Sequence, residues 1–298
     1  MPEETCRVGD VELAYETFGD RNDPPLLLVM GLATQMIAWH EDFCAELAGR
    51  GFFVIRFDNR DVGRSSAMRE LPVPTLRQLA TRSKKAAAYT LSDMAGDAVG
   101  LLDHLGIERA HVVGASMGGM IAQTIAFEHP DRVLSLASIM SNTGARFSGR
   151  PRLATYQMLL GTPPKDRDAY IDYVDKTYAM IGSPGFDRDR NHLREMAGRA
   201  YDRGRNPAGS GRQLAAIIAD GDRTRRLAGV RAPTVVIHGT KDKLVSPSGG
   251  RATAKAIPGA KLVRIEGMGH DLPRGAWPRI IGAIVENAAR AERPVLVD

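Results

Sequence analysis

The sequence predicts an α/β protein with a mostly parallel central sheet, helices on both faces and a helical cap inserted between two strands. Three observations support this fold class. Short apolar runs alternate with amphipathic helical stretches towards both ends of the chain, several of these runs are apolar at every position, and the middle of the chain lacks strong strand patterns. Strands that alternate with helices form parallel sheets, and continuously apolar strands are typical of sheets covered on both faces.

The first half of the chain contains five predicted strands and three predicted helices. The strands are Val11–Phe18, Pro25–Met30, Phe52–Asp58, Ala110–Ala115 and Val133–Met140. The helices are Trp39–Arg50, Ser92–Leu105 with Ser92 as its N-cap, and Met117 to about Glu128. Only the first of these strands alternates apolar and polar residues, so it is the one expected to be half exposed.

The second half resumes the same alternation after a helical interval. Its predicted strands are Thr234–Gly239 and Lys261–Glu266, and its predicted helices are Ser248–Ile257 and Ala276–Ala291. The interval contains predicted helices at Leu153–Leu160, Arg167–Ile181, His192–Ala200 and Arg212–Asp220. Such an insertion is expected over the carboxyl ends of the strands, where open α/β sheets bind ligands. The sequence therefore predicts a core domain of residues 1–141 and 229–298 and a cap of residues 142–228.

Composition and charge exclude several classes of protein. The 298 residues are 43% hydrophobic and 25% charged, as in globular proteins. The most apolar run, Pro24 to Trp39, is too short and too interrupted to cross a bilayer, so membrane insertion and secretion are not expected. With only Cys6 and Cys44 there is no disulfide framework, which favours the cytoplasm.

The net charge of +5 is concentrated in the middle of the chain. Residues 141–228 contain 16 Lys and Arg against 10 Asp and Glu. Because acidic residues are interleaved and no nucleic-acid motif accompanies this excess, it indicates solvated helix faces rather than a nucleic-acid surface. The sequence leaves the oligomeric state open.

Residues 110–120, AHVVGASMGGM, carry the clearest chemical signature. An apolar, β-branched run ends at Ser116 and a helical pattern begins at once, which is the G-x-S-x-G nucleophile elbow. Gly114 and Gly118 are required because a Cβ at either position would collide across so sharp a turn. The elbow predicts a strained Ser116 whose hydroxyl stands above the sheet.

A serine nucleophile requires a base, and the base requires a group that orients it. Asp242 and His270 each follow a predicted strand, so both are expected at the same edge of the sheet as Ser116, in the chain order Ser, Asp, His. We expect activity to rise with pH as His270 loses its proton. The alternative candidates are His192 as the base and Asp220 or Asp222 as the carboxylate.

Acyl transfer also requires donors for a developing oxyanion. The backbone N–H of Met117 follows the nucleophile directly, and that of Leu32 follows the strand that ends at Met30. No cluster with metal-ligand spacing is present, so no metal and no cofactor are expected. The glycines around Ser116 match neither a dinucleotide fingerprint nor a P-loop.

Six motifs together resemble the cap-bearing serine esterases of the α/β-hydrolase superfamily. They are DVELAY at 10–15, LVMG at 28–31, RFDNRDVGRS at 56–65, the elbow, GTKD at 239–242 and GMGH at 267–270. Within that superfamily the chain is similar to bacterial esterases of the aclacinomycin methylesterase type, which also carry methionine where Met30 stands. Asp61 departs from the family pattern D-x-R-G-x-G-x-S, in which a glycine occupies its position.

The resemblance implies a serine hydrolase that cleaves carboxylic esters through an acyl-enzyme. The expected partner is a small-molecule ester, with a short or medium acyl group or as the methyl ester of a bulky acid. Lactonases, C–C bond hydrolases and perhydrolases share the triad, and a non-catalytic ligand-binding protein can retain it, so these alternatives stay open. Ser116 argues against relatives with a carboxylate nucleophile, such as haloalkane dehalogenases and epoxide hydrolases, or with a cysteine nucleophile.

Six methionines are candidates for the lining of an apolar pocket or, alternatively, for core packing. They are Met36, Met120, Met140, Met158, Met180 and Met196.

Overall fold

This computed structural model describes residues 3–152, 155, 161 and 163–291, and within them eight strands form one sheet. The strands are β1 (Glu4–Val8), β2 (Val11–Phe18), β3 (Pro25–Val29), β4 (Phe53–Phe57), β5 (Ala110–Ala115), β6 (Val133–Ile139), β7 (Thr234–Gly239) and β8 (Lys261–Ile265). They lie in the order β1-β2-β4-β3-β5-β6-β7-β8. The β1–β2 and β2–β4 pairs are antiparallel and all other pairs are parallel. The predicted mostly parallel sheet is therefore confirmed.

Helices cover both faces of the sheet. They are α1 (Glu41–Ala48), α2 (Leu76–Ala80), α3 (Leu91–His104), α4 (Met117–Glu128), α5 (Arg167–Ile181), α6 (Arg190–Arg203), α7 (Pro207–Asp220), α8 (Thr224–Leu227), α9 (Ser248–Ala256) and α10 (Trp277–Ala288). Leu27 and Val29 of β3 belong to the core formed with α3 and α4, whereas Leu26 and Leu28 belong to the core formed with α1 and α10. Successive strand residues point to opposite faces, so both faces of β3 are buried, as its continuously apolar sequence predicts.

The N-cap predicted for α3 is wrong. The helix begins at Leu91, and Thr90 is its N-cap, in a capping box with Asp93. The Thr90 hydroxyl accepts a hydrogen bond from the Asp93 N–H at 3.1 Å, and the Asp93 carboxylate accepts one from the Thr90 N–H at 2.7 Å. Ser92 instead donates to Glu128 at 2.7 Å. Threonine followed three residues later by an acidic residue was the stronger signal for the start of this helix.

The described residues between β6 and β7 form α5, α6, α7 and α8. Helix α5 has the predicted bounds, whereas α6 and α7 are longer than predicted. Helix α7 begins five residues early because Asn206 caps it through the Gly209 N–H and Pro207 occupies its first position. The predicted helix Leu153–Leu160 lies outside the described residues, apart from residue 155. Strand β1 and helix α2, which the sequence patterns did not indicate, are short and largely exposed.

The contacts of the Asp61 side chain account for an aspartate at a position where the family pattern has glycine. The φ of Asp61 is +69°, in the left-handed region that glycine adopts most readily. The side chain is fully buried and forms a bidentate ion pair with Arg212 of α7, with N–O distances of 2.7 and 2.8 Å. The Tyr89 hydroxyl and the Asn206 amide donate to the same carboxylate, each at 2.8 Å. The aspartate therefore joins α7 to the loop after β4.

We expect Asp61→Asn to lower the free energy of unfolding by about 3–5 kcal/mol, because it leaves Arg212 buried without its carboxylate. Asparagine tolerates the left-handed backbone, so the effect reports the lost charge. Urea unfolding measures it. Asp103→Asn is the control: its pair with Arg132 has the same 2.7 Å separation but lies at the surface, and its loss should cost less than about 1 kcal/mol.

The ion pair of Asp61 with Arg212 should also make the free energy of unfolding depend on pH in the acid range. Burial raises the pKa of Asp61, but hydrogen bonds from Arg212, Met68 and Tyr89 outweigh burial and hold the pKa below its ordinary value. Stability from this group is therefore present above the ordinary aspartate pKa of about 3.9 and is lost as the pH falls through the lowered value. Equal pH dependence of unfolding in wild type and Asp61→Asn would contradict this assignment.

Candidate active site

Ser116 lies in the turn between β5 and α4, with φ of +57° and ψ of −119°. This is a strained backbone conformation for a residue with a side chain. A Cβ at Gly114 would overlap the Gly118 carbonyl group, and a Cβ at Gly118 would overlap the Val29 carbonyl group. The turn is therefore sterically closed to any residue but glycine at both positions, as the sequence predicts.

The structure brings the three predicted catalytic side chains together at the carboxyl end of the sheet. His270 Nε2 lies 3.0 Å from Ser116 Oγ, and His270 Nδ1 lies 2.7 Å from Asp242 Oδ2. A carboxylate can only accept, so the proton of that contact belongs on Nδ1 and Nε2 is left to accept the serine proton. Asp242 follows β7 and His270 follows β8, which places both beside the elbow.

Asp242 is held as a carboxylate by its surroundings. Its Oδ1 accepts backbone N–H hydrogen bonds from Leu244 at 2.9 Å and Val245 at 2.8 Å. Burial raises the pKa of Asp242, but the charge and hydrogen bond of His270 and the contact with His238 outweigh burial and lower it well below its usual range. His238 Nε2 lies 2.8 Å from the Val245 carbonyl oxygen and 3.5 Å from Asp242 Oδ2. His238 therefore lies beside the carboxylate oxygen that His270 also contacts.

The alternative candidates have other partners. His192 of α6 packs against His40 at a tilted angle, with ring centroids 4.0 Å apart. Asp220 forms ion pairs with Arg223 and Arg226, and Asp222 accepts hydrogen bonds from Thr224. His192 and Asp222 line the cavity beside Ser116, but the Ser116 hydroxyl has its hydrogen-bond partner in His270, whose Nε2 accepts.

The two predicted oxyanion donors belong to α4 and to the segment after β3. Met117 is the first residue of α4, so the helix supplies no carbonyl acceptor for its N–H. Leu32 lies in the segment after β3, directly beyond Gly31. A Cβ at Gly31 would lie 3.1 Å from the Ser116 Cβ and 3.7 Å from its Oγ, so the segment passes close to the nucleophile. A reacting carbonyl beside Ser116 is therefore within reach of both segments.

A cavity of about 1240 Å³ contains Ser116 and His270. Helices α5, α6 and α7 line it above the elbow, through residues such as Tyr178, Leu193 and Ile217. Of the six candidate methionines, Met120, Met140 and Met196 line the cavity, Met36 is buried outside its lining, Met180 is 40% exposed elsewhere, and Met158 lies outside the described residues. The lining is largely apolar, as in many sites for small molecules.

Two polar residues of the site escaped the sequence patterns. Asp271, adjacent to His270, lines the cavity; burial raises its pKa, against the hydrogen bond from Ser183, and the net shift is upward. Gln213 of α7 is fully buried behind the cavity lining and bonds to the backbone of Ala33 and Arg60. In the sequence, Asp271 could have been found because it directly follows His270. No sequence signal pointed to Gln213, because an amide in an amphipathic helix resembles any polar surface residue.

Two further properties bear on function. In the described ranges, no group of three or more His, Cys, Asp or Glu side chains is arranged to hold a metal ion. None of the helices in those ranges is both long and apolar enough to cross a membrane.

Comparison with known proteins places this geometry in a family. The family model described as "alpha/beta hydrolase fold" matches residues 24–273. Rhodomycin D methylesterase DauP of Streptomyces sp. (strain C5) is 29% identical, over 98% of this chain and 99% of that protein. The 3-oxoadipate enol-lactonase 2 of Acinetobacter baylyi is 26% identical, over 88% of each. A solved hydrolase from Pseudomonas aeruginosa PA01 is 25% identical and superposes with a TM-score of 0.71, covering 96% of this chain and 97% of that one.

The chain belongs to the α/β-hydrolase fold family, as the family match over most of its length shows. Its similarity to a methylesterase along nearly the whole chain confirms the predicted resemblance to methylesterases of the aclacinomycin type. The comparisons also agree with the predicted class, a hydrolase of carboxylic esters.

Gly114→Ala should lower the free energy of unfolding by roughly 1–3 kcal/mol or more and abolish activity. Its Cβ would overlap the backbone of the elbow helix, which then has to move away from β5. Gly96→Ala in α3 is the matched control, since a Cβ there meets no described atom within 4 Å apart from the backbone of its own helix turn. Alanine should stabilise that helix by about 0.5–1 kcal/mol. Unfolding curves and ester turnover of both variants test the steric argument, which fails if Gly114→Ala resembles Gly96→Ala.

Proposed function

We propose that this protein hydrolyses carboxylic esters with Ser116 as nucleophile, His270 as general base and Asp242 as the orienting carboxylate. The observation that carries the proposal is the position of His270, which lies 3.0 Å from the serine hydroxyl and 2.7 Å from the carboxylate. These distances allow proton transfer from the hydroxyl while the imidazole is held in one orientation.

The reaction proceeds through an acyl-enzyme. Ser116 Oγ attacks the ester carbonyl as its proton passes to His270 Nε2, and the ester C–O bond breaks as that proton passes on to the alcohol oxygen. A water molecule then attacks the acyl group in the same way, with His270 again as base. Asp242 stays ionised throughout and stabilises the imidazolium that forms in each half-reaction, as its lowered pKa favours.

The carbonyl oxygen becomes negatively charged in both half-reactions. We assign the backbone N–H groups of Met117 and Leu32 as the donors that stabilise this charge. The first is unpaired within α4, and the second follows a glycine that lies against Ser116. One such donor is worth on the order of 10²–10³ in rate, which makes their position a determinant of activity.

Residues 142–228 act as a cap that closes over the nucleophile and selects the substrate. Three of its helices line the cavity of about 1240 Å³, which is larger than many sites for small molecules. A large, covered, mostly apolar cavity suits an ester with a bulky acyl portion and a small alcohol. The similarity to DauP, whose name describes a methylesterase, favours methyl esters of bulky acids.

A lactonase is the second candidate, because the chain is also similar to an enol-lactonase and the same triad opens cyclic esters. Linear esters are favoured over lactones because the more similar relative, over the larger share of the chain, is the methylesterase.

Both cysteines are free and buried, which suits the reducing cytoplasm as the place of action.

Ser116→Ala should reduce hydrolysis of a soluble p-nitrophenyl ester by at least about 10³-fold without lowering the free energy of unfolding appreciably. The methyl side chain fits the same turn, so only the nucleophile is lost. A fluorophosphonate should label the wild type at Ser116, as peptide mass spectrometry can show. Ser92→Ala, which removes a serine of α3 whose hydroxyl bonds to Glu128 at the opposite end of α4 from Ser116, should keep full activity and labelling. Label on another residue, or turnover by Ser116→Ala near that of wild type, would overturn the assignment.

Soluble methyl and short- to medium-chain esters should be hydrolysed with higher kcat/KM than emulsified long-chain triglycerides. The cap covers Ser116, excludes bulk water and limits the length of acyl chain that fits. Parallel assays with a methyl ester of a polycyclic acid, p-nitrophenyl butyrate, a small lactone and emulsified triolein measure this preference. If triolein is the best substrate, the cap is a lipase lid, and if the lactone is best, the second candidate is correct.

A further inference from the structure

The backbone segment of residues 30–34, between β3 and the first helical turn of the following loop, is held in an uncommon conformation. Ala33 has φ of +55°, which is unfavourable for a residue with a Cβ. Such conformations are unfavourable by themselves and persist where neighbouring contacts impose them. The segment carries the Leu32 N–H that the proposed mechanism aims at the oxyanion, so the contacts that impose its shape matter to the reaction.

Two buried side-chain amides hold this segment from either side. The Asn59 amide donates to the Met30 carbonyl oxygen at 3.0 Å. The Gln213 Oε1 accepts from the Ala33 N–H at 2.8 Å. The peptide group that carries the Leu32 N–H lies between these two anchored peptide groups, so its orientation is constrained at both ends.

Gln213 is rigidly placed for this contact. Its side chain is fully buried, and its Nε2 donates to the Arg60 carbonyl oxygen at 2.9 Å, so both ends of the amide are satisfied. The preceding residue, Arg212, forms the buried ion pair with Asp61, which is also in the loop after β4. Two consecutive residues of α7 therefore attach the cap to the core, and one of them bonds directly to the segment beside the nucleophile.

We propose that Gln213 is a positioning residue for catalysis, through which the cap holds the Leu32 N–H at the oxyanion position. Gln213 does not touch the reacting atoms; it acts by restraining the Leu32–Ala33 peptide group. The inference rests on the proposed function, and it adds that α7 contributes to transition-state stabilisation as well as to the cavity wall.

Gln213→Met tests the proposal, because methionine has a similar length and helix propensity but cannot bond to the Ala33 N–H. We expect kcat per fluorophosphonate-labelled active site to fall roughly 10–100-fold, with KM changed less than about threefold, since a displaced donor weakens transition-state binding specifically. The affinity for a boronic acid, whose adduct with the serine mimics the tetrahedral intermediate, should fall in parallel with kcat. Gln213→Glu keeps an oxygen acceptor for the Ala33 N–H and should retain more of the wild-type kcat than Gln213→Met.

Gln123→Met is the matched control. Gln123 is equally buried and also bridges two parts of the chain, accepting from Arg223 at 3.2 Å and donating to Ser138 at 3.0 Å, but these bonds do not involve residues 30–34. It should lose stability while keeping kcat per labelled site and boronate affinity. Wild-type values of both quantities in Gln213→Met, or equal losses in the two methionine variants, would overturn the inference. Turnover that survives Ser116→Ala would instead overturn the proposed function, so the two failures are separate.

Discussion

The backbone of Ser116 is the constraint on which the rest of the site depends. A serine with φ of +57° at the end of a parallel strand is possible here only because glycine stands two residues before and two residues after it. The absence of Cβ atoms lets α4 start directly over β5 and lets the segment after β3 approach the nucleophile. The elbow thus fixes where a base, a carboxylate and oxyanion donors have to be, and the neighbouring strand ends supply each of them.

The base and carboxylate follow from the sheet order. β5, β6, β7 and β8 are consecutive neighbours and parallel, so their carboxyl ends lie along one edge. Asp242 leaves that edge from β7 and His270 from β8, and the His270 loop reaches back over β6 and β7 to Ser116. His270 and His238 then favour the ionised form of Asp242 despite its burial, which is the protonation state that an orienting carboxylate requires.

Buried polar contacts, more than apolar ones, define how the helices after β6 meet the core. Arg212 binds Asp61, and Arg203 of α6 binds Asp58 at 2.9 Å and Glu3 at 2.7 Å. Ion pairs of this kind return little net stability, since both partners lose hydration, but each is satisfied in one geometry. An apolar interface could slide by part of a helical turn, whereas a bidentate arginine cannot. The cavity shape therefore depends on charges placed well away from the reacting atoms.

The sequence by itself determined the features that depend on neighbouring residues. Alternating patterns set the parallel sheet and most helices, and steric rules about glycine identified Ser116 and the elbow, since both are properties of a few consecutive positions. Only the tertiary structure decided the contacts of residues far apart in the chain. Asp61 and Arg212 are separated by 151 positions, and Gln213 and Ala33 by 180. The packing of the helices after β6 on the core decides which polar residues meet across such distances. The periodicity that predicts each helix does not specify that packing.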